Sequence, residues 1–119
     1  MSDQALETPA DPIHAFIAQT VAEHPVVLFM KGTPDAPRCG FSSLAVQILD
    51  QLGASFVGVD VLQDEGLRDG IKAFTDWPTI PQLYVKGEFV GGSDIVREMF
   101  QAGELGALMV EKGVPLGEA

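Results

Sequence analysis

A chain of 119 residues with 46% hydrophobic and 20% charged residues suffices for one globular domain with an ordinary core. Its 17 acidic against 7 basic side chains, a formal net charge of -10, argue against general binding to nucleic acid or to anionic membrane surfaces. One cysteine excludes an internal disulfide and fits a reducing compartment, no apolar run is long enough to span a bilayer, and the N-terminus lacks the basic and apolar regions of a secretory signal, so a cytoplasmic protein is expected.

Residues 1–11 are polar and read as a flexible tail, residues 12–112 as the domain, and residues 113–119 as a second tail. Asp11 and Pro12 offer a cap and a first helical position for a helix carrying Ile13, Phe16, Ile17, Thr20 and Val21, which should stop before Pro25. Val26 to Met30 is apolar throughout, as a strand covered on both faces would be. A second helix repeats Phe41, Leu44, Ala45, Ile48, Leu49 and Leu52 at helical spacing and should end at Gly53. Ser55 to Asp60 alternates as a strand, and the strand-helix-strand order makes this pair parallel. A third helix opens at Asp64 and runs through Leu67, Ile71 and Phe74. Gln82–Val85 and Glu88–Gly91 then form a hairpin about Lys86-Gly87. Gly92, Ser93 and Asp94 lead into a fourth helix with Ile95, Val96, Met99 and Phe100 on one face, and a last short helix carries Leu105, Leu108 and Met109. The order predicts an α/β fold, a mixed four-stranded sheet flanked by helices on both faces, which is the thioredoxin-like architecture.

Cys39 stands between the first strand and the second helix, in the stretch from Lys31 to Ser42. Free N–H groups and the helix dipole at such a position favour the thiolate, and Lys31 and Arg38 are nearby cations. Between Glu23 and Asp50 the only carboxylate is Asp35, so negative charge is cleared from around the one cysteine of a strongly acidic chain. A small buried cysteine used as filler is the plainer alternative. A turn framed by Gly32, Pro34, Pro37 and Gly40 is a poor place for filler, which favours a reactive Cys39. His14 and His24, with one cysteine and no clustered carboxylates, make no zinc pattern.

Four short motifs, Lys31-Gly-Thr-Pro34, Cys39-Gly-Phe-Ser42, Trp77-Pro-Thr-Ile-Pro81 and Gly91-Gly-Ser-Asp94, resemble in order and placement the signatures of the monothiol glutaredoxins of the CGFS type. The resemblance runs from about Ile13 to Lys112. It implies a thioredoxin-like fold, a catalytic and metal-ligating Cys39, a cis bond at Ile80-Pro81, and a glutathione site containing Lys31, Cys39, Gly40, Phe41, Arg68, Thr79, Ile80, Pro81, Gly92, Ser93 and Asp94. Lys31 and Arg68 match the positions that pair with the glycyl carboxylate; Arg68 would otherwise simply decorate an exposed helix. The main chain of Thr79 and Ile80 would pair with the cysteinyl part, and Pro81 would otherwise be an ordinary strand-start proline. Ser93 and Asp94 would meet the γ-glutamyl end at a helix start, or act as plain caps, or both. Trp77 is open to packing or to contact.

Ser93 stands where many of these relatives have a second cysteine, and Ser42 where dithiol glutaredoxins keep their resolving cysteine. A glutathionylated Cys39 must then wait for a second glutathione. The resemblance therefore implies first a [2Fe-2S] carrier. The cluster would bridge a homodimer on one Cys39 and one glutathione from each side, with a BolA-type protein as an alternative partner and apo iron–sulfur proteins as recipients. Its other implication is a glutathione-dependent thiol–disulfide oxidoreductase acting on mixed disulfides; a binding or redox-sensor protein without turnover is a third.

Overall fold

The computed structural model describes residues 11–117, so the tail expected at residues 1–11 lies, apart from Asp11, outside the described residues. Helix α1 spans Pro12–Glu23, and the Asp11 carboxylate accepts from the N–H groups of Ile13 and His14 at 3.0 and 3.4 Å. Strand β1 is Val26–Met30, followed by two very short strands, β2 (Gly32–Thr33) and β3 (Ala36–Pro37), and by helix α2 (Gly40–Leu52). Then come β4 (Val57–Asp60), a 3-10 turn (Val61–Gln63), α3 (Glu65–Thr75), the hairpin β5 (Gln82–Val85) and β6 (Glu88–Gly91), α4 (Ser93–Gln101) and α5 (Glu104–Glu111). The expected mixed four-stranded sheet is present, in the order β4-β1-β5-β6. β1 runs parallel to β4, with Val27 opposite Val57, and antiparallel to β5, with Val26 opposite Val85.

Both faces of β1 are covered, as its unbroken apolar run requires. Val26, Leu28 and Met30 point into a core shared with α2, α4 and α5, while Val27 and Phe29 point into a second core shared with α1 and α3. All five residues are at most 1% exposed. At about 1.5–3 kcal/mol for each large apolar side chain so buried, this strand is the main hydrophobic anchor of the domain.

The helical faces differ in detail from the apolar periodicity. In α2 the buried residues include Ser42 and Val46, while Phe41 is 61% exposed. Phe16 of α1 and Ile95 of α4 are likewise exposed. These residues lie at the margins of their apolar stripes, where a few tens of degrees of helix rotation decide between core and solvent. Gly53 ends α2 in the left-handed region at φ 69°, as expected, and its N–H turns back to carbonyls of Leu49 and Asp50.

Residues 113–117 do not trail away. Val114 is 4% exposed in the α2-side core, Leu116 packs against the same core, and the Gly117 N–H donates to the Gly53 carbonyl at 2.9 Å. Val114 and Leu116, set among glycines and a proline, are too short a pattern to reveal this. Val114→Ala should therefore lower the free energy of unfolding by about 1–2.5 kcal/mol, the range for removing buried methyl groups; a urea denaturation curve indistinguishable from the parent's would mean that the segment is a loose tail after all.

Candidate functional site

At the C-terminal end of β1 the chain must leave the sheet, turn and start α2, and two side-chain contacts and a short hairpin hold it there. The Lys31 N–H donates to Oγ of the fully buried Ser42 at 3.0 Å, tying strand end to helix start across eleven residues. The Gly32 N–H donates to the Asp60 carboxylate at 2.9 Å, and the same carboxylate accepts from the Leu62 N–H and the Gln63 side chain. The β2–β3 hairpin, with the Arg38 N–H on the Lys31 carbonyl at 2.8 Å, returns the chain to Cys39. Burial pushes the Asp60 carboxyl up, but its bonds from Gln63, Leu62 and Gly32 and the Arg38 charge outweigh it, so the group sits below the usual carboxylate range.

Cys39 is the N-cap of α2, in extended conformation, and its side chain makes no capping hydrogen bond. The N–H groups of the first turn therefore remain for the thiolate. The Ser42 N–H is the largest cause of a thiol pKa held below the ordinary value; partial burial opposes it, and the Phe41 N–H, the Lys31 ammonium and the Ser42 hydroxyl reinforce it. The half-buried sulfur is reachable from solvent.

Cys39 opens onto a groove of about 410 Å³ that brings together eight of the expected residues: Lys31, Cys39 and Phe41 on one side, Arg68 from α3, Thr79 and Ile80 from the loop before β5, and Ser93 and Asp94 at the start of α4. Gly40, Pro81 and Gly92 do not line it. Gly40 is exposed beside Cys39, whereas Pro81 and Gly92 are buried. The Ile80-Pro81 bond is cis, as the resemblance implied. Gly92 is the N-cap of α4, and a Cβ there would lie 3.3 Å from Trp77 Nε1 and 3.4 Å from the Pro81 carbonyl oxygen, so glycine lets the two walls approach. Neither Ser93 nor Asp94 caps α4 through its side chain; Asp94 instead lies 3.7 Å from Arg97. Trp77 packs with its ring centroid 5.8 Å from that of Phe89 and does not line the groove.

Lys72 and Pro78 also line the groove and were missed. Lys72 had a usable signal, since it follows Arg68 by four residues on one helix and so shares its face. With Lys31 and Arg68 it sets three cations against the single carboxylate of Asp94. The Arg68 Nε is buried without a hydrogen-bond partner, an orphan donor at the groove wall. Among the described residues, no three of His, Cys, Asp or Glu cluster as a metal site, and no helix is long and apolar enough to cross a membrane.

A single thiolate-favouring cysteine capping the helix that follows the central strand, opposite a cis-proline loop, defines a thiol protein of thioredoxin-like fold. Residues 26–90 match the family described as Glutaredoxin. A Synechocystis protein, "Uncharacterized monothiol glutaredoxin ycf64-like", is 57% identical over 91 residues, 76% of this chain and 85% of its own. The solution structure of a monomeric truncated mutant of Trypanosoma brucei 1-C-Grx1 superposes with a TM-score of 0.81 at 39% identity, covering 89% of this chain and 96% of that one. The crystal structure of a buckwheat glutaredoxin–glutathione complex gives 0.76 at 27% identity, covering 86% and 91%. The chain belongs to the glutaredoxin family, in its monothiol branch. It spans only 23% and 48% of two longer rice relatives, monothiol glutaredoxins S11 and S4, the second of which is named as mitochondrial.

The thiolate mechanism has a direct test. Lys31→Met removes an ammonium that favours the charged sulfur, so the Cys39 pKa should rise and the midpoint of a pH–rate profile for iodoacetamide alkylation should move to higher pH, with slower alkylation at pH 7. Ser42→Ala should shift the midpoint the same way. Unmoved midpoints in both variants would leave the backbone N–H groups alone as the cause.

Proposed function

We propose that the chain binds glutathione in the Cys39 groove and acts as a carrier of [2Fe-2S] clusters, passing them to apo iron–sulfur proteins. The observation that carries this reading is one accessible, thiolate-favouring sulfur beside a groove with cations at one end and a helix start at the other. Glutathione has two carboxylates and one ammonium. Lys31, Arg68 and the unanticipated Lys72 suit the glycyl carboxylate, and the orphan Arg68 donor suits an incoming acceptor. The first N–H groups of α4 suit the γ-glutamyl carboxylate, with Asp94 toward its ammonium. That the buckwheat relative was crystallised with glutathione supports the same ligand here.

A [2Fe-2S] cargo requires four ligands, and this chain offers one thiolate. The donor chemistry fits a cage of two Cys39 thiolates and two glutathione thiolates across a homodimer. A BolA-type protein is the alternative partner, and a reducing compartment such as the cytoplasm the setting. Half of the ligands would then be exchangeable small molecules, which suits a cluster that must be given up.

A second reading rests on the same lowered thiol pKa. The Cys39 thiolate would attack the glutathione sulfur of a mixed disulfide, releasing the client thiolate and leaving Cys39 joined to glutathione. A second glutathione thiolate would then release glutathione disulfide and restore Cys39. With Ser42 where a resolving thiol would stand, that last step is bimolecular, so turnover should be slow.

Anaerobic reconstitution with iron, sulfide and glutathione separates the two. Visible cluster absorbance should appear, should require glutathione, and should co-elute with a dimer on gel filtration with light scattering; Cys39→Ser should lose it and remain folded, because a hydroxyl is a poor iron ligand. A monomer carrying full absorbance would overturn the shared cage, and rapid turnover of a mixed disulfide without colour would favour the enzyme. By calorimetry, Lys31→Ala and Arg68→Ala should each weaken glutathione binding by ~1–3 kcal/mol, the usual cost of a charge-assisted contact. Unchanged affinity in both would move the ligand out of this groove.

A further inference from the structure

The wall between α3 and β5, residues 76–81, has no regular structure of its own, yet it supplies Thr79 and Ile80 to the groove. With prolines at 78 and 81 it has few N–H groups with which to fasten itself. Much of what holds it comes from the strand that follows. Gln82, fully buried, shares a face of β5 with Tyr84. Its Nε2 donates to the carbonyls of Trp77 and Thr79, both at 3.2 Å, and its Oε1 accepts from the Tyr84 hydroxyl at 3.1 Å. The two carbonyls thus select the orientation of the amide, since a flipped amide would set its oxygen against both, and the Tyr84 hydroxyl donates to the oxygen that this orientation presents.

Fixing the Thr79 carbonyl has a consequence for the next N–H. The cis bond is Ile80-Pro81, so the Thr79–Ile80 peptide is trans and planar, and its N–H points opposite to its C=O. With the carbonyl turned in to Gln82, the Ile80 N–H is turned away from the buried amide and outward. We propose that Gln82 is a positioning residue for ligand binding, holding two loop carbonyls inward so that the Ile80 N–H stands as a fixed donor to a peptide carbonyl in the groove. This rests on the reading that glutathione occupies that groove. The ionisable group that touches Gln82 is Tyr84; burial, opposed by a bond from Thr75, pushes its hydroxyl up to about 12, so it stays protonated at working pH. Arg68 and Lys72 of α3 and Asp94 of α4 line the groove in front of the loop.

The test is glutathione calorimetry on the parent, Gln82→Met and Gln82→Glu at pH 5.5 and pH 8, with a thermal melt of each. Methionine keeps the length and removes the donors, so affinity should fall roughly five- to thirty-fold, the range for one to two lost hydrogen bonds, in a protein that still melts cooperatively. An ionised glutamate offers only acceptors to two carbonyls, whereas its protonated form regains one O–H donor. The deficit of Gln82→Glu relative to the parent at the same pH should therefore shrink at pH 5.5, a trend that mere space-filling would not produce. Parent-like binding by Gln82→Met, or an equal Gln82→Glu deficit at both pH values, would overturn the proposal while leaving glutathione in the groove. A parent that binds no glutathione would overturn both readings. Should neither variant fold, the parent alone decides by NMR. The side-chain amide protons of Gln82 should exchange with water far more slowly than those of Gln51 and Gln101, and equally fast exchange would overturn the proposal.

Discussion

The hydrogen bond from the Lys31 N–H to the buried Ser42 hydroxyl is the constraint on which the site depends. It closes the junction between the residue that follows the central strand's apolar run and the first turn of α2. Cys39 is thereby left at the N-cap, with no other side chain competing for the N–H groups of Phe41 and Ser42. A Ser, Thr, Asp or Asn there would satisfy those groups itself; a cysteine caps poorly as a thiol and well as a thiolate. The helix start and the sulfur's ionisation are then one equilibrium. Asp60 fastens the other side of the junction at Gly32, so the turn is clamped from both neighbouring elements, α2 and β4.

Long apolar runs and turn residues made the fold legible. The five apolar residues of β1, the Lys86-Gly87 turn with both residues at positive φ, and Gly53 at the end of α2 each have one inexpensive structural solution, and each adopts it. Less visible were features whose signal is a single polar residue. The β2–β3 hairpin is too short for any periodicity, and Ser42 was legible only as the replacement for a resolving cysteine. Gln82 sits in an otherwise apolar strand, where a polar side chain must find partners. That necessity was readable, although the identity of the partners, two carbonyls of the preceding loop, needed the fold. Most of the groove was anticipated through motifs rather than spacing, and Lys72 lies in none of those motifs.

The uneven distribution of charge bears on what the site can select. A chain of net charge -10 would repel a small anion at long range, but at physiological salt the interaction is screened beyond about 8 Å. Among the residues that line the groove, Lys31, Arg68 and Lys72 outweigh Asp94, so a small anion seated there meets a positive lining on an acidic protein. A macromolecular partner covers an area wider than the screening length and meets the acidic surface as well. On the proposed reading, this charge distribution would favour small acidic ligands over acidic proteins, unless these touch the chain only at the rim of the groove. The exposed Phe41 lies at that rim, an apolar surface that a partner can cover without meeting the acidic remainder. Were a protein to be recognised there as proposed, its charge preference would differ from that of a small ligand at the same sulfur.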